Sequence, residues 1–93
     1  MSASDEYELV VTPPALRALS EHLPKAIASA VIEFLTTALV REPHRLGKPL
    51  RGELSGIFSA RRGTYRVLYR IREQPREVIV VRIEHRRDVY RPR

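Results

Sequence analysis

The strongest constraint on what this chain can fold into is the run from Tyr65 to Arg72. Read as a strand, it places Tyr65, Val67, Tyr69 and Ile71 on one side and Arg66, Leu68, Arg70 and Arg72 on the other. Burying unpaired guanidinium groups against an apolar layer is too costly for a domain of 93 residues to offset. One face of the sheet that holds this strand must therefore pack on apolar side chains, while the other stays open and positive.

The apolar layer is encoded upstream. Residues 25–40 carry Ile27, Val31, Phe34, Leu35 and Ala38 at helical spacing, with Ala30 alongside, which predicts one amphipathic helix. Tyr7 to Thr12 alternates around Tyr7, Leu9 and Val11 and predicts a first strand. Thr12 before Pro13-Pro14 reads as a hydroxyl N-cap followed by prolines in the first turn, where a missing N–H costs nothing. The short helix it starts runs through Glu21 with Leu16 and Leu19 inward. It pairs with the longer helix as a hairpin across His22-Leu23-Pro24.

Glu42 to Gly56 has two prolines, three glycines and no period, and reads as a loop tied down by Leu46, Leu50 and Leu54. Three strands follow: Ile57 to Arg61, Tyr65 to Arg72 across a tight Gly63-Thr64 turn, and Glu77 to Glu84. In the last, Val78-Ile79-Val80-Val81 looks partly covered on both faces. The order β-α-α-β-β-β predicts a single α+β domain over residues 1–93: a mostly antiparallel four-stranded sheet with a helical hairpin packed on one face.

Charge narrows the function. Residues 1–40 hold two basic and five acidic side chains, net −3, and residues 41–93 hold fifteen and six, net +9. Positive charge gathered in one half is an electrostatic footprint for a polyanion. Arg61, Arg62, Arg66, Arg70, Arg82, Arg86 and Arg87 would line a basic sheet face suited to a nucleic-acid backbone. The alternative is a solvated face with cross-strand pairs such as Arg72 with Glu77. Histidine is the one side-chain type here suited by its ordinary chemistry to proton transfer near neutral pH, which makes His85 a candidate acid or base, or it is a strand-end histidine bonded to backbone. Tyr90 would hydrogen-bond a sugar hydroxyl or stack on a base. His22 and His44 sit in loop-like contexts without partners and take no role.

Several classes fall away. With no cysteine there is no disulfide framework, thiolate nucleophile or Cys-ligated zinc. The three histidines are scattered, so no metal and no cofactor is expected. Arg51-Gly52-Glu53-Leu54-Ser55-Gly56 lacks the Lys-Ser/Thr ending of a phosphate loop, and no serine sits in a nucleophile elbow. No apolar run approaches the ~20 residues that cross a bilayer. The acidic segment Met1 to Glu8 does not read as a secretory signal, so the expected location is the cytoplasm with no membrane partner.

Three stretches carry a resemblance. Lys48-Pro49-Leu50-Arg51-Gly52, the segment from Leu54 to Tyr69 with its Arg-x-Gly-x-Tyr-Arg-x-x-Tyr element, and Ile83-Glu84-His85-Arg86-Arg87-Asp88-Val89-Tyr90 resemble the RelE branch of the RelE/ParE toxin superfamily, above all its mycobacterial-type members. The likeness implies the toxin of a type II toxin–antitoxin system, an mRNA interferase that cuts mRNA in the ribosomal A site. The 2′-OH attacks the adjacent phosphate without a metal, leaving a 2′,3′-cyclic phosphate and a 5′-OH. By match to the motif, Arg61 and Arg66 would clamp the scissile phosphate, Arg86 would stabilise charge or assist the leaving oxygen, and Tyr90 would orient or stack the substrate. Lys48, Arg51, Arg62, Arg70 and Arg87 would hold RNA.

The best-known member has two lysines where Ile57 and Ser59 align, so the general base is open; His85 is the first candidate and Lys48 the second. The likeness also implies a cognate acidic antitoxin that covers the basic face. Two other functions share the features: a ParE-like DNA gyrase inhibitor of the same fold, and a basic RNA- or ribosome-binding domain without catalysis.

Overall fold

The computed structural model describes residues 6–85. Strand β1 (Glu8–Val11) leads into helix α1 (Pro13–Arg17), which continues as a π-helical turn over Ala18–His22. Helix α2 (Lys25–Glu33) widens in the same way over Phe34–Leu39. The short helix α3 (Pro43–Leu46), strand β2 (Lys48–Pro49) and a 3₁₀ turn at Gly52–Leu54 follow. Strands β3 (Phe58–Arg62), β4 (Tyr65–Glu73) and β5 (Arg76–His85) complete the sheet. Its order is β1-β5-β4-β3-β2, with β1 parallel to β5 and every other pair antiparallel.

The α+β class and the element order are those read from the sequence, with one strand more. The segment expected to be loop holds α3 and the two-residue β2, whose Lys48 and Pro49 pair with Ser59 and Phe58. A proline at the edge of a sheet forfeits no ladder bond inside it, which is why so irregular a stretch can still pair. Leu54, expected to tie the segment down, is exposed.

Both long helices widen where hydroxyl side chains bond back along the chain. Ser20 donates to the Leu16 carbonyl at 3.0 Å, Thr36 to Ile32 at 2.8 Å and Thr37 to Glu33 at 2.6 Å. Such bonds compete with the helical ladder and loosen it. On the first helix Ala15 and Ala18 are buried, whereas Leu16, expected inward, is 56% exposed. The start at Pro13 sets a phase that turns two small side chains toward β5, and these let the helix sit close.

Thr12 stands at the N-cap, but its hydroxyl does not cap α1. It donates instead to the carbonyls of Val80 (2.9 Å) and Val81 (3.2 Å) on β5. Those two residues mark a bulge: Tyr69 pairs with Val80, the next pair is Leu68 with Arg82, and Val81 is the extra residue. Val78 and Val80 before the bulge and Ile83 after it are all buried on the helix side.

Tyr69, fully buried, locks the α3–β2 segment to the core. Its ring stacks on Phe58, and its hydroxyl donates to the Pro43 carbonyl at 2.6 Å. A Cβ at Gly47 would run into that hydroxyl, so only glycine fits there. Burial pushes the Tyr69 phenol up to about 12, and burial also raises Tyr7 and Tyr65. At the β4–β5 hairpin the Tyr7 hydroxyl donates to Glu73 at 3.0 Å, and His44 Nε2 donates to the same carboxylate at 2.7 Å. His44 therefore has partners that its sequence context hid. The bonds from His44 and then Tyr7 hold the Glu73 carboxyl below its ordinary value.

Two pH effects follow from these shifts. A raised phenol keeps its proton in the folded state, so stability holds below pH 10 and declines as pH rises toward 12. Tyr69→Phe should cost about 1–3 kcal/mol in urea titrations at neutral pH, because the Pro43 carbonyl loses its donor, and should make the alkaline decline shallower. A lowered carboxyl acts in the opposite sense: its contribution is present above the ordinary carboxylate range and fades as pH falls through the depressed value. Glu73→Gln should flatten the acid side of the stability curve, and an unchanged curve would show that the Tyr7–Glu73–His44 cluster carries no folding free energy.

Candidate nucleic-acid interface

The register sorts the arginines onto two faces. Cross-strand partners share a face, so the helix side holds Phe58 with Tyr69, Ala60 with Val67, Arg62 with Tyr65, and then Ile83 and His85. The other face carries none of the buried residues. Its last rung is Arg61–Arg66–Glu84, and its next is Lys48–Ser59–Leu68–Arg82. Arg70 with Ile79 and Arg72 with Glu77 lie further along.

Arg61 and Arg66 are therefore brought together, as direct cross-strand neighbours at the end of the sheet. Like charges opposite one another repel, and Glu84 offsets the repulsion from the other side of Arg66. Its Oε1 accepts Arg66 Nε at 3.2 Å and Nη2 at 2.5 Å, and its Oε2 forms an ion pair with Arg82, 3.2 Å from Nε. Arg61 has no ion-pair partner among the described residues. Lys48 shares the face one rung away, and Arg70 lies beside Gly56 of the β2–β3 connection. Arg51 is exposed on that connection. Arg72 and Glu77 form the cross-strand pair read from the sequence, at 3.7 Å.

Two predicted site residues fall elsewhere. The Arg62 guanidinium lies 4.7 Å over the Phe34 ring, on the helix side. His85 ends β5 opposite Tyr65, one rung from Arg66 but in the helix-side row. The end of the sheet joins the two rows, because the tight turn at Gly63 (φ +59°) brings Arg61, Arg62, Tyr65 and Arg66 together beside Glu84 and His85. Arg86, Arg87 and Tyr90 lie outside the described residues.

Comparison with known proteins identifies the family. The family described as the ParE toxin of type II toxin–antitoxin systems, parDE, matches residues 9–90. The chain belongs to this toxin family. It is 53% identical over 85 residues to Toxin RelG of Mycobacterium tuberculosis, covering 91% of this chain and 97% of the relative. Toxin RelE of the same organism is 45% identical over 91 residues, covering 98% and 93%. The crystal structure of the toxin–antitoxin complex RelBE2 from M. tuberculosis superposes with a TM-score of 0.84 at 52% identity, over 87% of this chain and 99% of that one. The chain is thus a RelE-type toxin, and among its described residues no helix is long and apolar enough to cross a membrane.

Sequence reasoning placed Arg82 on the basic face but not in the site, and it gave Glu84 no part. Paired substitutions test the sorting of faces. Arg61→Ala should weaken binding to single-stranded RNA and leave stability within about 0.5 kcal/mol. Arg62→Ala should cost about 0.5–1 kcal/mol of stability through the lost Phe34 contact and change RNA affinity less.

Proposed function

We propose that this toxin is a ribosome-dependent mRNA endoribonuclease. The observation that carries the reading is the Arg61–Arg66 pair, set side by side on a sheet face that no described element covers, with Lys48 on the same face and His85 next to Glu84 on β5. The reaction is a metal-independent transphosphorylation. The 2′-OH loses its proton, the 2′-oxygen bonds to the adjacent phosphorus, and the bond from phosphorus to the 5′-oxygen breaks as that oxygen gains a proton. Negative charge grows on the phosphorane oxygens, where Arg61, Arg66 and Arg86 act as fixed donors. Proton transfer falls to His85, at the lip of the sheet, and to Lys48, which shares the arginine face. Tyr90 orients or stacks the substrate. Arg51, Arg70 and Arg87 extend the contact with the RNA backbone and the A site.

The relatives support this reading, being named RelG and RelE toxins. The matched RelBE2 structure is a toxin–antitoxin complex, and the net charge of +6 suits an acidic cognate antitoxin that neutralises the same face. The reaction and the A site are those of a cytoplasmic protein.

Ribosomes programmed with defined A-site codons, mixed with purified toxin, test the proposal by mapping RNA ends. A downstream product with a 5′-OH is expected. Arg66→Ala should slow single-turnover cleavage by about 10²–10³-fold, the usual effect of removing one transition-state donor. His85→Ala should slow cleavage more than it weakens ribosome binding; equal rates in mutant and wild type at saturating ribosomes would remove His85 and leave Lys48. Intact mRNA together with stalled gyrase would point to the ParE-like activity, and ribosome binding without cut mRNA to a binding domain alone.

A further inference from the structure

The bulge at Val81 gives the face of Arg66 two residues that the reaction scheme above does not use, Arg82 and Glu84. One carboxylate holds two guanidinium groups side by side, through Oε1 to Arg66 and through Oε2 to Arg82. The hydrogen-bond inventory decides what remains available. Glu84 occupies the Nε–Nη2 edge of Arg66 but leaves both Nη1 protons and one Nη2 proton outward. With Arg82 it forms an ion pair, 3.2 Å from Nε, and no hydrogen bond, so the carboxylate leaves the Arg82 N–H donors to other acceptors.

Exposure has the same sense: the Glu84 side chain is 21% exposed, against 42% for Arg66 and 66% for Arg82. The carboxylate lies beneath and the two donors stand above it. A surface ion pair contributes little to stability, but a carboxylate that fixes two rotamer-rich side chains prepays the entropy of ordering them on a ligand. The trio keeps a net charge of +1 beside Arg61.

We propose that Arg82 is a further RNA-backbone contact and that Glu84 is a positioning residue yoking it to Arg66, so that the pair grips neighbouring phosphodiesters of one strand. The inference rests on the RNA-cleaving reading and adds to it a second phosphate subsite.

Its test uses the full chain and a short single-stranded RNA with 2′-O-methyl riboses, which binds but cannot react. Dissociation constants are measured across a salt series. Arg82→Ala should reduce the slope of log affinity against log salt by about 0.7, the release expected for one phosphate contact on a single strand. Arg66→Ala should do the same, and Arg17→Ala on α1 should leave the slope at its wild-type value. A wild-type slope in Arg82→Ala overturns the contact.

Glu84→Gln raises the net charge by one, so a purely electrostatic role predicts tighter RNA binding and undiminished cleavage. Positioning predicts that cleavage by saturated, programmed ribosomes falls about 10–100-fold, the range met when outer-shell partners of charged ligands are removed. It also predicts that adding Arg82→Ala to Glu84→Gln costs less than Arg82→Ala alone. Wild-type cleavage in Glu84→Gln overturns the yoke, and thermal melts of each variant separate these effects from unfolding. If wild-type protein cuts no mRNA at all, the nuclease reading fails, while the salt slopes still decide whether Arg82 holds a phosphate.

Discussion

The site depends on a one-residue irregularity in β5. A strand that entered its bulge with Val78 and Val80 facing the helices would, in regular alternation, send Arg82 and Glu84 into the core after them. Burying those two side chains under the helices would be prohibitive. The extra residue Val81 reverses the alternation, so that Ile83 fills the core and Arg82 and Glu84 join Arg66. The Thr12 hydroxyl, bonded to the carbonyls of Val80 and Val81, fastens the bulge to the point where β1 hands over to α1. A threonine that looks like a helix cap thereby helps fix which side chains the arginine face of the sheet presents.

A second constraint lies at the opposite edge. Tyr69 reaches through the core to the Pro43 carbonyl, and Gly47 leaves room for its hydroxyl. The chain from α3 into β2 therefore passes against the end of the Tyr69 side chain before pairing with β3. That route is what puts Lys48 opposite Ser59 on the arginine face. Phe58 closes the arrangement, stacked on Tyr69 and edge-on to His44. A clamp on the helix side of the sheet thus determines the position of an ammonium group on the other side.

These two constraints also mark where the sequence was legible and where it was not. The alternation in β4 and the helical stripe from Ile27 to Ala38 are periodic signals, and they sufficed for the fold class, the element order and the open basic face. The turn at Gly63-Thr64 was legible, but it was the likeness to RelE toxins that joined Arg61 and Arg66 in one site; the cross-strand register sets them side by side. Arg62 was expected on the basic face and lies on the other, because a strand end next to a turn has no further alternation to reveal its side, and Phe34, its ring partner, is distant in sequence. His44 and Glu73 are 29 residues apart and meet only once the sheet has formed. The bulge did leave a trace: Val78 and Val80 fall on even positions and Ile83 on an odd one, with Val80-Val81 adjacent where the parity changes. Read as a switch of face, that pair places Arg82 and Glu84 beside Arg66. Read as a continuous apolar run, it suggests a strand covered on both sides.

Stability and function are divided between the two faces of one sheet. Among the described residues, the buried hydrophobics of the strands all lie on the helix side, and their packing on the helices provides most of what keeps so small a domain folded. The opposite face holds partly exposed ion pairs, each worth about 0–1 kcal/mol. Its arginines can therefore be spent on a polyanion, or covered by an acidic partner, without drawing on the interactions that hold the fold. An acidic segment laid across Arg61 and Arg66 would compete with RNA for the same donors and leave the core as it was. Neutralisation by occupancy would need no conformational change in the toxin, only a partner whose carboxylates outbid a phosphodiester for Arg61 and for Arg66, which Glu84 already holds.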